Sequence, residues 1–179
     1  MPATQSFSYL KKQHGFTLFE LIVVVLLVGV FMSFAIDRML RIQVDAERVS
    51  VQQTIAALKG AINLQVAEMI VKQGLNSITA LENTNPINYL QEHPYNYLGL
   101  KSDQEVAYYP LASWYYDPQQ KMLVYKVKNT DYFSSSQSGT SRIRLKVAAI
   151  YQNGSSQQEN NAVRGISVKS MDDYFWKLD

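Results

Sequence analysis

The 179 residues are 47% hydrophobic and 18% charged, which excludes a disordered chain and fits one globular domain with an appended segment. There is no cysteine, so disulfides, thiolate metal sites, iron–sulfur clusters and cysteine nucleophiles are all excluded. The net charge of +2 is carried by Lys11 and Lys12; beyond residue 15 basic and acidic side chains balance, and no nucleic-acid surface is indicated.

Residues 1–15 form a polar, basic leader that ends at Gly15. From Phe16 to Ile36 the chain reads FTLFELIVVVLLVGVFMSFAI, with Glu20 its only ionisable group. A helix of this length spans the roughly 30 Å hydrocarbon core of a bilayer. The β-branched run Ile22-Val23-Val24-Val25 does not argue for a strand, because a lone strand in lipid leaves its backbone unsatisfied. A cleaved secretory signal is the competing reading, with Ser33-Phe34-Ala35 as a small-x-small site. Glu20 opposes it, since a carboxylate there costs ~2–3 kcal/mol on insertion. Lys11 and Lys12 before the run and Arg38 and Arg41 after it leave orientation open. Gly29 and Ser33 form a small-xxx-small pair, for which chance within an apolar run is the simpler account.

Residues 37–73 continue the helix as an amphipathic half. Val44, Val51, Ile55, Leu58, Ile62, Val66 and Met69 recur at helical spacing, with Arg41, Asp45, Arg48, Gln52 and Lys59 mostly off that stripe. No proline lies between Pro2 and Pro86, and Gly74 supplies the stop, so the helix is expected from Phe16 to Gln73. That far exceeds the usual ~10–14 residues of a globular helix.

Residues 74–179 read as a C-terminal globular domain packed with 37–73. Asn85-Pro86 suits a helix cap followed by proline at the first position. Strands are expected at Glu105–Tyr109, Ser113–Tyr116, Met122–Lys128, Arg142–Tyr151 and Val163–Val168, with turns at Asp117-Pro118-Gln119-Gln120 and Asn153-Gly154. Thr130–Ser141 is serine-rich and reads as a mobile loop. The expected fold class is α+β: a long N-terminal helix, transmembrane in its first half, packed on an antiparallel sheet of about four strands.

The junction His14-Gly15-Phe16-Thr17-Leu18-Phe19-Glu20, followed by the apolar run, resembles the processing site of type IV prepilins and pseudopilins. The resemblance implies cleavage between Gly15 and Phe16, N-methylation of Phe16, and filament assembly through Glu20. It implies a prepilin peptidase/methylase, other pilin subunits, the inner-membrane assembly machinery and the lipid bilayer as partners. The location it implies is the bacterial inner membrane, with the C-terminal domain periplasmic, and then a pilus or periplasmic filament. The motif lies within residues 11–36. The proline, tyrosine and glycine pattern of 85–99, with Ser113–Lys128, is also similar to pilins of the mannose-sensitive haemagglutinin pilus group. Many pilins close a C-terminal loop with a disulfide, and this chain cannot.

The motif also has a physical logic. Glycine at position 15 lets a peptidase approach the scissile carbonyl closely. Cleavage places an ammonium at Phe16 about one helical turn from Glu20, and a carboxylate and an ammonium from adjacent subunits pair where either alone would be costly.

No phosphate loop, dinucleotide fingerprint, Gly-x-Ser-x-Gly or His-Glu-x-x-His occurs, so neither a cofactor nor catalysis is expected. His93 reads as a surface residue, and Asp172-Asp173, with Asp131 or Asp179, as solvated acids before a calcium site. Three functions stand: a structural subunit of a type IV pilus or pilus-like filament, a type II secretion pseudopilin, and a signal-anchored periplasmic binding domain.

Overall fold

The computed structural model describes residues 15–136, 139–151 and 163–177; the leader up to His14, the Asn153-Gly154 turn and Asp179 lie outside them. The chain divides into two compact units, Met1–Leu40 and Arg41–Asp179. Helix α1, Leu18–Gln73, contributes to both.

The helix begins two residues later than expected because Thr17 caps it: the Glu20 N–H donates to Thr17 Oγ1 at 3.2 Å. Threonine at the cap with glutamate three residues on is the sequence pattern of a capping box. At the other end Gly74 takes φ +87°, a conformation open to glycine, and its N–H donates to the Ile70 carbonyl at 3.0 Å. Both the unbroken course and the glycine stop agree with the sequence expectation.

Within the first unit the apolar side chains of α1 are exposed, Phe19, Phe31 and Phe34 among them. Within the second unit the stripe is the helix's contribution to the core. Val44, Val51, Leu58 and Ile62 are buried, and Ile55, Val66 and Met69 pack against the core from its rim.

Two short 3₁₀ helices follow, Leu75–Leu81 and Pro86–Tyr89, which bury Ile78, Leu81 and Ile87. Asn85 caps the second as expected, accepting the Ile87 N–H at 3.1 Å. The strands are β1 Tyr97–Leu100, β2 Ser113–Asp117, β3 Met122–Lys126, β4 Phe133–Ser135, β5 Arg142–Tyr151, β6 Val163–Ser170 and β7 Tyr174–Trp176. The main sheet has the order β1-β2-β3-β5-β6. Its last four strands are antiparallel, as expected, while β1 adds a parallel edge beside β2 that the sequence reading missed.

The expected strand at Glu105–Tyr109 is a correction. Glu105–Tyr108 lie in a 3₁₀ helix, Asp103–Tyr108, with Tyr109 as its C-cap, because both its ends are capped. Ser102 accepts the Gln104 N–H at the start. The buried Lys126 ammonium donates to the carbonyls of Val106, Ala107 and Tyr109 at 2.8, 3.2 and 2.6 Å at the end. End capping outweighs the β preference of Val106 and Tyr109. This helix roofs the outer face of β2 and β3, where Val106, Tyr115 and Val124 form a second small core. That is why β2 is buried along its whole length instead of alternating.

The serine-rich stretch expected to be a mobile loop is the second correction, since it contains β4, paired antiparallel with β7. Phe133 anchors the pair, its ring 5.8 Å from Tyr174 and 5.1 Å from Trp176. Beside it Arg144 grips Asp172 with a two-bond fork at 2.7 and 2.6 Å. The inner face of the main sheet (Trp114, Leu123, Tyr125, Ile143, Leu145, Val147, Ile166 and Val168) forms one core with Val51, Leu58 and Ile62 of α1.

Candidate functional site at the helix head

Three residues carry the site expected from the sequence, and the fold presents each of them openly. Gly15 lies in non-regular backbone just ahead of α1, and a side chain placed on it would meet nothing within 4 Å. Phe16 is 77% exposed. Glu20 stands in the first helical turn, exposed, with its backbone N–H on Thr17 and its carboxylate facing outward. A carboxylate there also suits the positive end of the helix dipole. The segment can therefore offer an accessible scissile bond, a new N-terminus one turn from a carboxylate, and a helix long and apolar enough to cross a membrane.

A side chain placed on Gly29 would meet nothing within 4 Å, and Ser33 Oγ donates to the Val30 carbonyl at 2.7 Å. Ser33-Phe34-Ala35 lies inside α1. His93 is exposed, edge-on to Tyr97 at 5.7 Å. Asp172 departs from the solvated-acid expectation. Its carboxyl is held below its ordinary value, first by the hydrogen bonds from Arg144, with burial opposing. Asp173 and Asp131 are exposed, and among the described residues no cluster of acids and histidines could hold a metal ion.

The sequence reading missed Glu47, which lies on the core stripe, three residues after Val44 and four before Val51. A glutamate on an otherwise apolar face was the available signal. Glu47 is 9% exposed. Its Oε1 accepts from the Tyr125 hydroxyl at 3.0 Å and the Lys128 N–H at 2.7 Å; its Oε2 accepts from the Asn129 N–H and Nδ2 at 3.0 and 2.6 Å. The Tyr125 phenol is pushed upward, by burial first and then by the Glu47 charge. Four donors on one carboxylate satisfy it fully, which is what its burial requires.

Opposite the core stripe α1 carries a second line of small and apolar residues. Val49, Gln53, Ala56, Gly60, Leu64, Ala67 and Val71 recur at helical spacing, and all are exposed. Only Gln53 among them is polar. A side chain on Gly60 would meet nothing within 4 Å, so this face is open to close approach.

Residues 10–36 match the family model of the prokaryotic N-terminal methylation motif, the signature of type IV pilins and pseudopilins. No curated protein and no solved structure matches the chain.

Proposed function

We propose that this chain, which bears the pilin and pseudopilin signature at residues 10–36, is a structural subunit of a type IV pilus or pilus-like filament. It is made as a precursor, cut after Gly15 by a prepilin peptidase, and N-methylated on Phe16. It is then held in the inner membrane by the apolar part of α1, with its C-terminal domain on the periplasmic side. Assembly pairs Glu20 of one copy with the Phe16 ammonium of another, on the pairing logic given above. The role is structural and not catalytic.

The observation that carries this reading is the motif match standing at the head of an exposed apolar helix. The outward line from Val49 to Val71 adds support, since an apolar helix face outside the lipid calls for another helix. A type II secretion pseudopilin needs the same leader, helix and Glu20, and the motif covers both. Mass spectrometry of the mature N-terminus tests the proposal. A methylated Phe16 start is expected; an Ile36 start would make the chain a secreted domain, and an intact leader a signal-anchored one. Cross-linking in cells then separates the two filaments: pilus subunits captured support the first, secretion-channel components the second.

A further inference from the structure

Pulling on a helix-anchored domain loads whatever joins the helix to the sheet. In the second unit that joint has two parts of different character. Val51, Leu58 and Ile62 make apolar contacts, which are non-directional and yield gradually to sliding along the helix axis. Glu47 makes four directional hydrogen bonds, which weaken steeply with distance and misalignment.

All four donors of Glu47 come from one strand and its continuation: Tyr125 in β3, and Lys128 and Asn129 just beyond it. Strand β3 is the middle strand of the main sheet, paired to β2 on one side and β5 on the other. Glu47 lies near the start of the part of α1 that belongs to the second unit, between Val44 and Val51. Tension arriving along α1 therefore meets Glu47 before it meets Leu58 or Ile62. It passes into a strand that is braced on both edges.

We propose that Glu47 is a mechanical latch: it fastens α1 to the central strand β3 and carries axial load from the helix into the sheet. Its biological use rests on the reading above, in which the apolar part of α1 is held in a membrane or filament, so that a pull on the domain loads the helix. The latch acts by positioning; it contacts no substrate.

The absence of cysteine permits a direct test on the full-length chain in detergent micelles, because introduced thiols become unique handles. One handle pair, Met39→Cys with Lys177→Cys, pulls through the helix. A control pair, Lys121→Cys with Lys169→Cys, pulls across the sheet. Glu47→Ala is expected to roughly halve the rupture force in the helix geometry and to leave the sheet geometry unchanged. Tyr125→Phe, which removes a single donor and keeps the carboxylate, is expected to fall between wild type and Glu47→Ala, so the test survives if Glu47→Ala does not fold. An equal loss in both geometries would show a general stability role and overturn the latch, and so would no loss in either. These forces are read without membrane or filament, so they stand or fall separately from the N-terminal processing result.

Discussion

At the scale of single residues, the proposed function asks of Glu20 something that its place in the helix does not. Its backbone N–H is fixed by Thr17, so the start of α1 does not depend on its side chain. Its carboxylate is exposed and free to meet another subunit. Glu20→Gln and Glu20→Val should therefore leave leader removal and membrane retention near wild type and act on assembly, where a neighbouring ammonium is left buried and unpaired. Breaking such a pair costs roughly 3–5 kcal/mol. Sheared filaments and membrane-retained protein, measured beside the other subunits, check this. Normal incorporation of both variants would remove Glu20 from the mechanism.

Asp172 makes a prediction of a different kind. Its folded-state carboxyl is held below its ordinary value by Arg144. The stability it adds is thus present above the unfolded value of about 3.9 and is lost as pH falls through the folded value. Asp172→Asn should cost roughly 1–2 kcal/mol at neutral pH, and the gap to wild type should close as pH falls through the folded value. Denaturant midpoints read from tryptophan fluorescence at several pH values check it, with Trp176 close by in β7. A gap that stays constant with pH would contradict the ion-pair account.

At the scale of elements, the helix stripe holds the second unit together, and Leu58 sits at its centre with no exposed surface. Leu58→Ala should cost about 2–5 kcal/mol, since a cavity would open in the core that α1 shares with the sheet. A chemical denaturation series measures it, and a loss under 1 kcal/mol would mean that the stripe does not set the core. The elements also show what was legible beforehand. Helix α1, its glycine stop and strands β2, β3, β5 and β6 follow from hydrophobic period and turn chemistry, both local. The remainder depends on distant partners. Strand β1 is four residues long and exists because Trp114 and Tyr116 of β2 lie alongside it. Strand β4 reads as a loop until Tyr174 and Trp176, forty residues later, close on Phe133. The Asp103–Tyr108 helix owes its end to Lys126, a residue of a different strand. The helix head was legible almost completely, because Gly15, Phe16 and Glu20 form a local pattern. Glu47 was not recognised because its four donors lie about eighty residues away.

At the scale of the whole molecule, the division at Leu40 and Arg41 has a direct consequence for what can be handled in solution. The fragment from Arg41 to Asp179 keeps the buried stripe, both sheets, the main core and the small second core, and sheds the exposed apolar segment. It should fold cooperatively and remain soluble without detergent. Circular dichroism, a thermal melt and size-exclusion chromatography check this, and aggregation in plain buffer would mean that the core does not close on its own.

The arrangement of that core also sets an order in time. The helix is made first, yet Val51, Leu58 and Ile62 share a core with Val147, Ile166 and Val168, about a hundred residues downstream. Loop closure over such a span is slow compared with forming the neighbouring β2–β3 hairpin. Until β5 and β6 arrive, a nascent chain holds a finished helix whose core stripe is only partly covered, by the 3₁₀ segments and the β2–β3 hairpin, and whose other apolar face is bare. The first face is covered fully only when β5 and β6 complete the sheet. The surface made earliest is therefore the last to be fully shielded, and the newborn chain is most vulnerable to aggregation just before β5 and β6 close the sheet.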